Sequence, residues 1–330
     1  MRKTLFGAAM AACFSASMVM GAFAGEMTVD EVMQKYVEAS AGVTEANANA
    51  KGVADITLSM PEQETTMDIG GGLDLDMAFT LDPITVEVAG SMQGEAMGEG
   101  GQVDMHVYMV PAEDGGLSTY AGVDMGEGME WALTSIDAET VGQFQELLAN
   151  KTMDFSTLPI SFELADGMAD VNGTECYELV ATLGWEDMLA VFQMAMEQAG
   201  DAIPEGTLPD EETLQAFGTL LGGLQMNFTI DVDSETFQPA YARIDFEGSD
   251  WVTLGAVLAS VMGATDEEGN LLPMSLDVKD LYLEYFYDYS TPVAIEVPQE
   301  VIDNAQDMGN AADLTSGAAE MVAEEIESEF

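Results

Sequence analysis

Residues 73–81 read LDLDMAFTL, and this stretch decides the fold class. Its apolar side chains fall on every second residue from Leu73 to Leu81, with Asp74 and Asp76 between the first of them. A period of two residues is typical of a β-strand with one buried face and one face in water. Such one-sided burial is common in antiparallel sheets, so the stretch predicts a strand of such a sheet.

The same alternation recurs on both sides of this strand. It is found at residues 54–60, 84–92, 103–109, 160–164, 177–183, 226–232, 240–246 and 274–289. Short turns join several of these stretches, and Asn172-Gly173 is the strongest hairpin signal among them. In the last stretch the apolar positions change parity at Lys279-Asp280, which predicts a β-bulge.

Helical periodicity interrupts the strands at five places. The first is residues 29–43, where Thr28 and Glu31 form a capping box at the start of the helix. The other four stretches are residues 137–150, 185–199, 210–222 and 250–262. Because they lie between groups of strands rather than after each strand, they favour an α+β fold over a parallel sheet. A meander of about ten strands accumulates twist until it curls, so we expect a long curved antiparallel sheet, a half-open barrel, with amphipathic helices covering its concave apolar face.

The first 24 residues have the features of a secretory signal peptide. Arg2 and Lys3 precede an apolar stretch, and the sequence AFA at residues 22–24 is typical of a cleavage site. We therefore expect cleavage near Ala24 and a secreted or extracytoplasmic protein.

An alternative interpretation of this leader is a lipoprotein signal, in which MAAC at residues 10–13 is the lipobox and a lipid anchors the protein at Cys13. In either case residues 25–302 are predicted to form one domain. Residues 303–330 hold eight acids and no base, and we expect this tail to be disordered or a frayed helix.

Acidic residues dominate the charge of the chain. There are 61 Asp and Glu against 7 Lys and Arg, which gives −54; loss of the leader, which carries two of the bases, makes the charge −56. Nucleic acid is excluded as a partner, because phosphate binding needs Lys and Arg. No stretch after the leader reaches the ~18 apolar residues of a membrane-spanning helix. The acids allow weak binding of divalent cations, although the EF-hand spacing is missing.

No catalytic constellation is recognisable in the sequence. It lacks the G-x-S-x-G, H-E-x-x-H and C-x-x-C patterns, and the glycine runs at residues 70–72 and 100–101 are expected to be loops between strands. Cys176 is the one cysteine after the leader, and nothing in the sequence brings His106 close to it. We therefore predict a protein that is not an enzyme and binds no cofactor or specific metal.

Methionine is unusually abundant, with 25 residues, and many of them fall at inward positions of the predicted strands. These side chains either fill the core or form an adaptable lining for a lipid-like ligand, since thioethers re-pack easily around irregular apolar shapes. The predicted lining consists of Leu75, Met77, Phe79, Val88, Met105, Met109, Phe144, Leu189, Phe192, Met196, Phe217, Met226 and Phe228.

Three segments carry a resemblance to a known family. They are VNGTECYELVATL at residues 171–183, TIDVDSETFQPAYARIDF at residues 229–246 and YFYDYSTPVAIEVPQEVIDNA at residues 285–305. Together they resemble the LolA/LppX-like lipid and lipoprotein carriers, in particular the uncharacterised exported proteins of anaerobic Firmicutes with that fold. The resemblance implies a half-open barrel with a helical lid around an apolar ligand site. Lipoprotein carriers of this group use a cavity arginine, whereas Arg243, the one arginine after the leader, is predicted on the polar side of its strand.

These features together predict an exported, non-catalytic protein that holds an apolar small molecule or lipid between the sheet and the helices. The alternative is a protein-interaction module at the cell surface or in the medium, with a filled core. Tyr282 and Phe286, at outward positions of the last strand, are then the candidate contact residues.

Overall fold

The computed structural model describes residues 27–60, 65–96, 99–126, 128–142, 160–190, 222–261 and 274–310. One sheet of twelve strands dominates this part of the chain. The strands are β1 (Glu45–Met60), β2 (Thr65–Leu81), β3 (Ile84–Ala96), β4 (Glu99–Pro111), β5 (Leu117–Asp124), β6 (Glu130–Ile136), β7 (Glu163–Val171), β8 (Thr174–Gly184), β9 (Gln225–Asp233), β10 (Pro239–Asp245), β11 (Ser275–Asp288) and β12 (Gln306–Asn310). The helices are α1 (Val29–Ser40), α2 (Trp251–Val261) and α3 (Gln299–Asn304).

The sheet is open and almost entirely antiparallel. Its strands lie in the order β12-β6-β5-β4-β3-β2-β1-β11-β10-β9-β8-β7, and within the described residues the two end strands do not pair with each other. Strands β12 and β6 are parallel to each other, and the other neighbours are antiparallel. The predicted α+β fold with a long antiparallel sheet is confirmed, and β12 is a strand that the sequence pattern did not predict.

Alternate side chains of each strand point to two faces of the sheet, and we call the more apolar one the inner face. Cross-strand pairing places Ala48, Met77, Val88 and Val107 in one row across β1 to β4. Asp76, next to Met77 in the chain, points to the opposite, outer face. The period-two prediction therefore identifies the correct face on these strands.

Helix α1 covers the inner face of β8, β9 and β10, a region that we call the covered half. Val32, Met33 and Tyr36 of α1 pack there in the main apolar core of the described chain. Val32 and Leu179 are 0% exposed and Ile230 is 1% exposed, so this interface is dry and close-packed.

The predicted capping box begins this helix. Thr28 N donates a hydrogen bond to Glu31 Oε2 at 2.9 Å, and Glu31 N donates to Thr28 Oγ1 at 3.3 Å. Two backbone N–H groups that α1 leaves unpaired are thereby satisfied, which fixes the residue at which the helix starts.

A C-terminal segment, residues 295–305, covers part of the outer face. It includes α3 and packs against the outward side chains of β4, β5 and β6, among them Tyr108, Tyr120 and Trp131, with Val301 buried in the contact. The alternating pattern predicts a wet outer face, so this cover is a difference from the prediction. Of the residues assigned to the tail, 303–304 lie in α3 and 306–310 form β12, and residues 311–330 are outside the described part. The boundary of the domain at residue 302 stays a prediction.

Two local predictions are confirmed. Asn172 and Gly173 have φ angles of 54° and 90°, the left-handed pair that the two-residue turn between β7 and β8 requires. In β11 the register shifts where Asp55 pairs with Asp280 and Ile56 pairs with Val278, which leaves Lys279 as the extra residue of a bulge.

The prediction for the glycine runs was wrong. Residues 70–72 lie inside β2 and residues 100–101 lie inside β4. Gly72, Gly94 and Gly101 have nothing within 4 Å of the position that a Cβ would take, so no side chain packs directly over these three positions.

The predicted helices are confirmed only in part. Helix α2 matches the prediction for residues 250–262, and residues 138–142 and 185–190 are the helical beginnings of two others. The rest of the predictions for residues 137–150 and 185–199, and residues 210–221 of the fourth predicted helix, lie outside the described residues.

Candidate functional site

The inner face of β1 to β4, which we call the open half, brings together six of the residues predicted to line a ligand site. They are Leu75, Met77 and Phe79 of β2, Val88 of β3, and Met105 and Met109 of β4. Met77 pairs directly with Val88, and all six side chains are half-buried rather than buried. The open half is therefore an apolar surface that the described residues leave partly accessible.

Gly90 separates two of these side chains. It pairs with Leu75 on one side and with Met105 on the other, so it occupies the middle of their row. A Cβ at this position would lie 2.0 Å from the carbonyl oxygen of Asp74, which is closer than any side chain tolerates. The close approach of β2 to β3 thus requires glycine here and leaves the row without a central side chain.

Two small apolar clusters close the ends of the open half. At one end Leu58 packs with Met274 between β1 and β11, and at the other Ile84 packs with Leu117 and Val141. Met109 belongs to the edge of this second cluster. The middle of the face, around Met77 and Met105, lies between them.

Tyr285, Tyr287 and Tyr289 form a row on the inner face of β11 and directly after its end, and we call them the tyrosine row. Successive ring centroids are 6.4 Å and 6.2 Å apart, with interplanar angles of 21° and 8°, so the rings are nearly parallel. Tyr285 lies between Ala50 of β1 and Ala242 of β10. Small neighbours on both strands let the rings stand above the backbone, at the border between the open and the covered halves.

Burial raises the pKa of each phenol in the tyrosine row. The proximity of Tyr36 of α1 raises the pKa of Tyr287 and Tyr289 further, and the pKa of Tyr36 itself is raised by burial to about 12. All four phenols are therefore neutral at physiological pH and keep an O–H that can donate a hydrogen bond. The predicted lining does not include these tyrosines, although their i, i+2, i+4 spacing in the sequence was a signal for such a row.

The other predicted lining residues are not in the open half. Met226 and Phe228 belong to the covered half, where Phe228 is buried in the core beneath α1. Leu189 is half-buried in the helical segment at residues 185–190. Phe144, Phe192, Met196 and Phe217 lie outside the described residues.

The outward aromatic residues lie where the sequence predicts them. Phe286 contacts Tyr241 with a centroid distance of 4.9 Å, and the guanidinium of Arg243 lies 4.2 Å from the centre of the Tyr282 ring. Arg243 is on the outer face and pairs with Asp245 at 3.2 Å, which agrees with its predicted polar side. These aromatics are half-buried by one another and by Arg243.

The candidate reactive groups are separated. Cys176 is buried, and burial with nearby carboxylates raises the pKa of its thiol to about 11, so it is not activated as a nucleophile. His106 is on the outer face of β4, with Nε2 at 2.8 Å from Glu87 Oε1. Among the described residues no cluster of three or more His, Cys, Asp or Glu could hold a metal ion. No helix in that same part of the chain has the length and apolarity of a membrane span.

Comparisons with known proteins give one family match. Residues 28–114, from the capping residue of α1 to just beyond β4, match the model of DUF6612, a family of unknown function. No curated protein matches the sequence.

Several solved structures are similar at low identity. The Mycobacterium tuberculosis lipoprotein LppX has 10% identity over 80% of this chain and 96% of that one, with a TM-score of 0.34. LprF from Mycobacterium bovis has 10% identity over 83% and 99%, with a TM-score of 0.36. A putative outer membrane lipoprotein-sorting protein domain from Vibrio parahaemolyticus has 10% identity over 80% and 93%, with a TM-score of 0.20. TM-scores below 0.5 do not establish a shared fold, so the architecture follows from the strand pairing itself.

Proposed function

We propose that the chain is an exported, non-catalytic binding protein that holds an apolar, lipid-like molecule against the open half of the inner face. The observation that carries this proposal is the contrast between two parts of one apolar surface. The covered half is packed dry beneath α1, whereas Leu75, Met77, Val88 and Met105 remain half-buried. A group of partly accessible apolar side chains on one face of a sheet is typical of a binding site.

Methionine suits such a site, because a flexible thioether adapts to guests of irregular shape. Met77 and Met105 lie on alternate strands of the open half, and Met92, on the strand between them, is 41% exposed. Export is part of the proposal, with a leader cleaved near Ala24. The apolar guest would then be taken up or delivered outside the cytoplasm.

The binding test uses two variants of one strand. Val88→Glu places a carboxylate on the inner face of β3, and Ala89→Glu places the same group on the outer face one residue later. We expect Val88→Glu to reduce saturable binding of the apolar fluorophore N-phenyl-1-naphthylamine at least tenfold, because burying an unpaired carboxylate beside the guest is costly. Ala89→Glu should bind within about twofold of the unmodified protein. Native mass spectrometry of the purified protein should show a bound lipid.

Equal binding by both variants, or no saturable binding by the unmodified protein, would overturn the proposal. Circular dichroism of both variants is needed, since a loss of binding counts only when the sheet is retained. N-terminal sequencing of the exported protein tests the export part, with Gly25 as the expected first residue; a lipid-modified cysteine at position 13 would show the alternative anchor.

A further inference from the structure

The tyrosine row gives the inner face a polar component that the apolar proposal does not use. Tyr285, Tyr287 and Tyr289 present three parallel phenols along one edge of the open half. The opposite wall, across the alanines of β1, consists of Leu75, Met77 and other apolar side chains of β2. One side of the site therefore offers hydrogen-bond donors and the other does not.

The hydroxyls of the tyrosine row make no hydrogen bond to any residue in the described part of the chain. By comparison, the outer-face Tyr241 hydroxyl donates to Glu284 Oε2 at 3.0 Å. Burial alone raises the pKa of Tyr285. The pKa values of Tyr287 and Tyr289 are raised by burial and by neighbouring tyrosines, and no hydrogen bond contributes to either. None of the three hydroxyls is a fully buried unpaired atom, so each is accessible, and a guest that supplies an acceptor can replace water there.

The charges near the row favour an uncharged acceptor. The cationic side chains of the described residues are Lys35, Lys51, Lys279 and Arg243. Lys35 stacks over Phe237, Lys279 pairs with Asp55 at 3.5 Å, and Lys51 and Arg243 are on the outer face of the sheet. A carboxylate or phosphate beside the tyrosine row would find no cation there among the described residues and would be repelled by the net negative charge of the protein.

We infer that the guest is an uncharged lipid bearing ester or ketone carbonyl oxygens, and that the hydroxyls of the tyrosine row bind those oxygens. This inference depends on the proposed function, because it names the chemical class of molecule held in the same site. The ring spacing of 6.2–6.4 Å lets neighbouring phenols reach separate oxygens of one molecule. Tyr285, Tyr287 and Tyr289 are then specificity-determining residues, and Leu75 and Met77 contact the hydrocarbon part.

The test removes the hydroxyls and keeps the rings. A triple variant, Tyr285→Phe, Tyr287→Phe and Tyr289→Phe, is compared with the unmodified protein and with Tyr120→Phe, which loses a hydroxyl on the outer face. Displacement of N-phenyl-1-naphthylamine is measured with dioleoylglycerol, with squalene as a hydrocarbon without acceptors, and with oleate as an anionic lipid.

We expect the triple variant to bind dioleoylglycerol about tenfold or more weakly, the loss of one to three neutral hydrogen bonds. Squalene affinity should stay within about twofold, and Tyr120→Phe should change neither ligand. Oleate should bind the unmodified protein more weakly than dioleoylglycerol does.

Three outcomes would overturn the inference. An equal loss for dioleoylglycerol and squalene means that the tyrosines act through packing, and no loss for either means that their hydroxyls touch no guest. Tighter binding of oleate than of dioleoylglycerol means that the site selects anions. If the fluorophore binds but the lipids do not differ, only this inference fails; if the unmodified protein binds no apolar probe at all, the proposed function fails with it.

Discussion

The covered and open halves of the inner face have the same sequence pattern and different surroundings. Met226 and Phe228 on β9 are two residues apart, as Met77 and Phe79 are on β2. On β9 Phe228 is buried in the core beneath α1 and the half-buried Met226 packs against that core, whereas on β2 both side chains are half-buried outside it. Identical periodicity thus produces structural core in one place and a candidate binding surface in the other, and the position of α1 makes the difference.

The largest expected effect separates the halves by stability. Ile230→Ala in the covered half should destabilise the protein by about 3 kcal/mol, because it leaves a cavity in a close-packed interface. Met105→Ala in the open half should cost about 1 kcal/mol or less, since a half-buried side chain loses less contact. Urea denaturation followed by circular dichroism measures both; equal losses would mean that the open half is as tightly packed as the core.

The next effect concerns a carboxylate behind the covered half. Asp231 is on the outer face of β9 and is 5% exposed, and its Oδ1 has no hydrogen-bond partner. It faces Glu178 of β8 and Tyr241 of β10 across the strands. Burial, and then the charge of Glu178, raises the pKa of Asp231 to about 6.

A raised carboxylate pKa means that the folded protein binds this proton more tightly than the unfolded chain. The protonated Asp231 therefore stabilises the folded protein fully below about pH 4, and this stabilisation is lost as the pH rises through 6. Asp231→Asn should therefore be more stable than the unmodified protein at pH 7, by about 2 kcal/mol. The difference should shrink to near zero at pH 4. Denaturant titrations at both pH values check this, with the exposed Asp74→Asn as the control; a difference independent of pH would contradict it.

A smaller effect tests how α1 is held over the covered half. Thr28→Ala removes the capping box and should cost about 1 kcal/mol. Thr57→Ala, which removes an exposed hydrogen bond to Asp68 at 2.7 Å on the outer face of β1, should cost about 0.5 kcal/mol or less. Thermal denaturation of the two variants makes the comparison. A larger loss for Thr57→Ala would show that the cap of α1 is not what holds the covered half.

The smallest effect is electrostatic and spread over both halves. The net charge is −54, so the carboxylates repel one another and destabilise the folded state. Because salt screens this repulsion, raising NaCl from 10 mM to 200 mM should increase Tm by about 2–4 °C. CaCl2 at equal ionic strength should give a similar increase if the acids only need screening, and a larger one if divalent cations bind weakly. A Tm that does not change with either salt would mean that the carboxylates are too far apart to interact.

The sequence predicts the faces of the strands better than it predicts what covers them. Alternation correctly separates Met77 from Asp76 and places Tyr282 opposite to Tyr285, because side-chain direction in a strand is a local property. It does not distinguish Phe79 from Phe228, since the cover of each depends on where α1 docks, which is a long-range property. The same limit explains why six predicted lining residues share the open half while two others belong to the core.

Other features carried no local signal or a misleading one. Residues 295–305 have neither helical nor strand periodicity over their length, so their packing on the outer face against Tyr108 and Tyr120 was not predicted. The glycine run at residues 70–72 suggested a loop because glycine is depleted in strands, but pairing with β1 and β3 holds it in β2. The tyrosine row was visible as spacing, but its position between alanines of β1 and β10 depends on strand pairing and had no local signal.

The most direct test follows the methionine methyl groups of the two halves by NMR during titration with dioleoylglycerol. With 13C-methyl methionine in the protein, we predict that the signals of Met77 and Met105 in the open half shift in a saturable way. The signal of Met226, in the covered half, should stay in place. Equal shifts of all three signals, or a shift of Met226 alone, would contradict the account that the open half is where the guest binds.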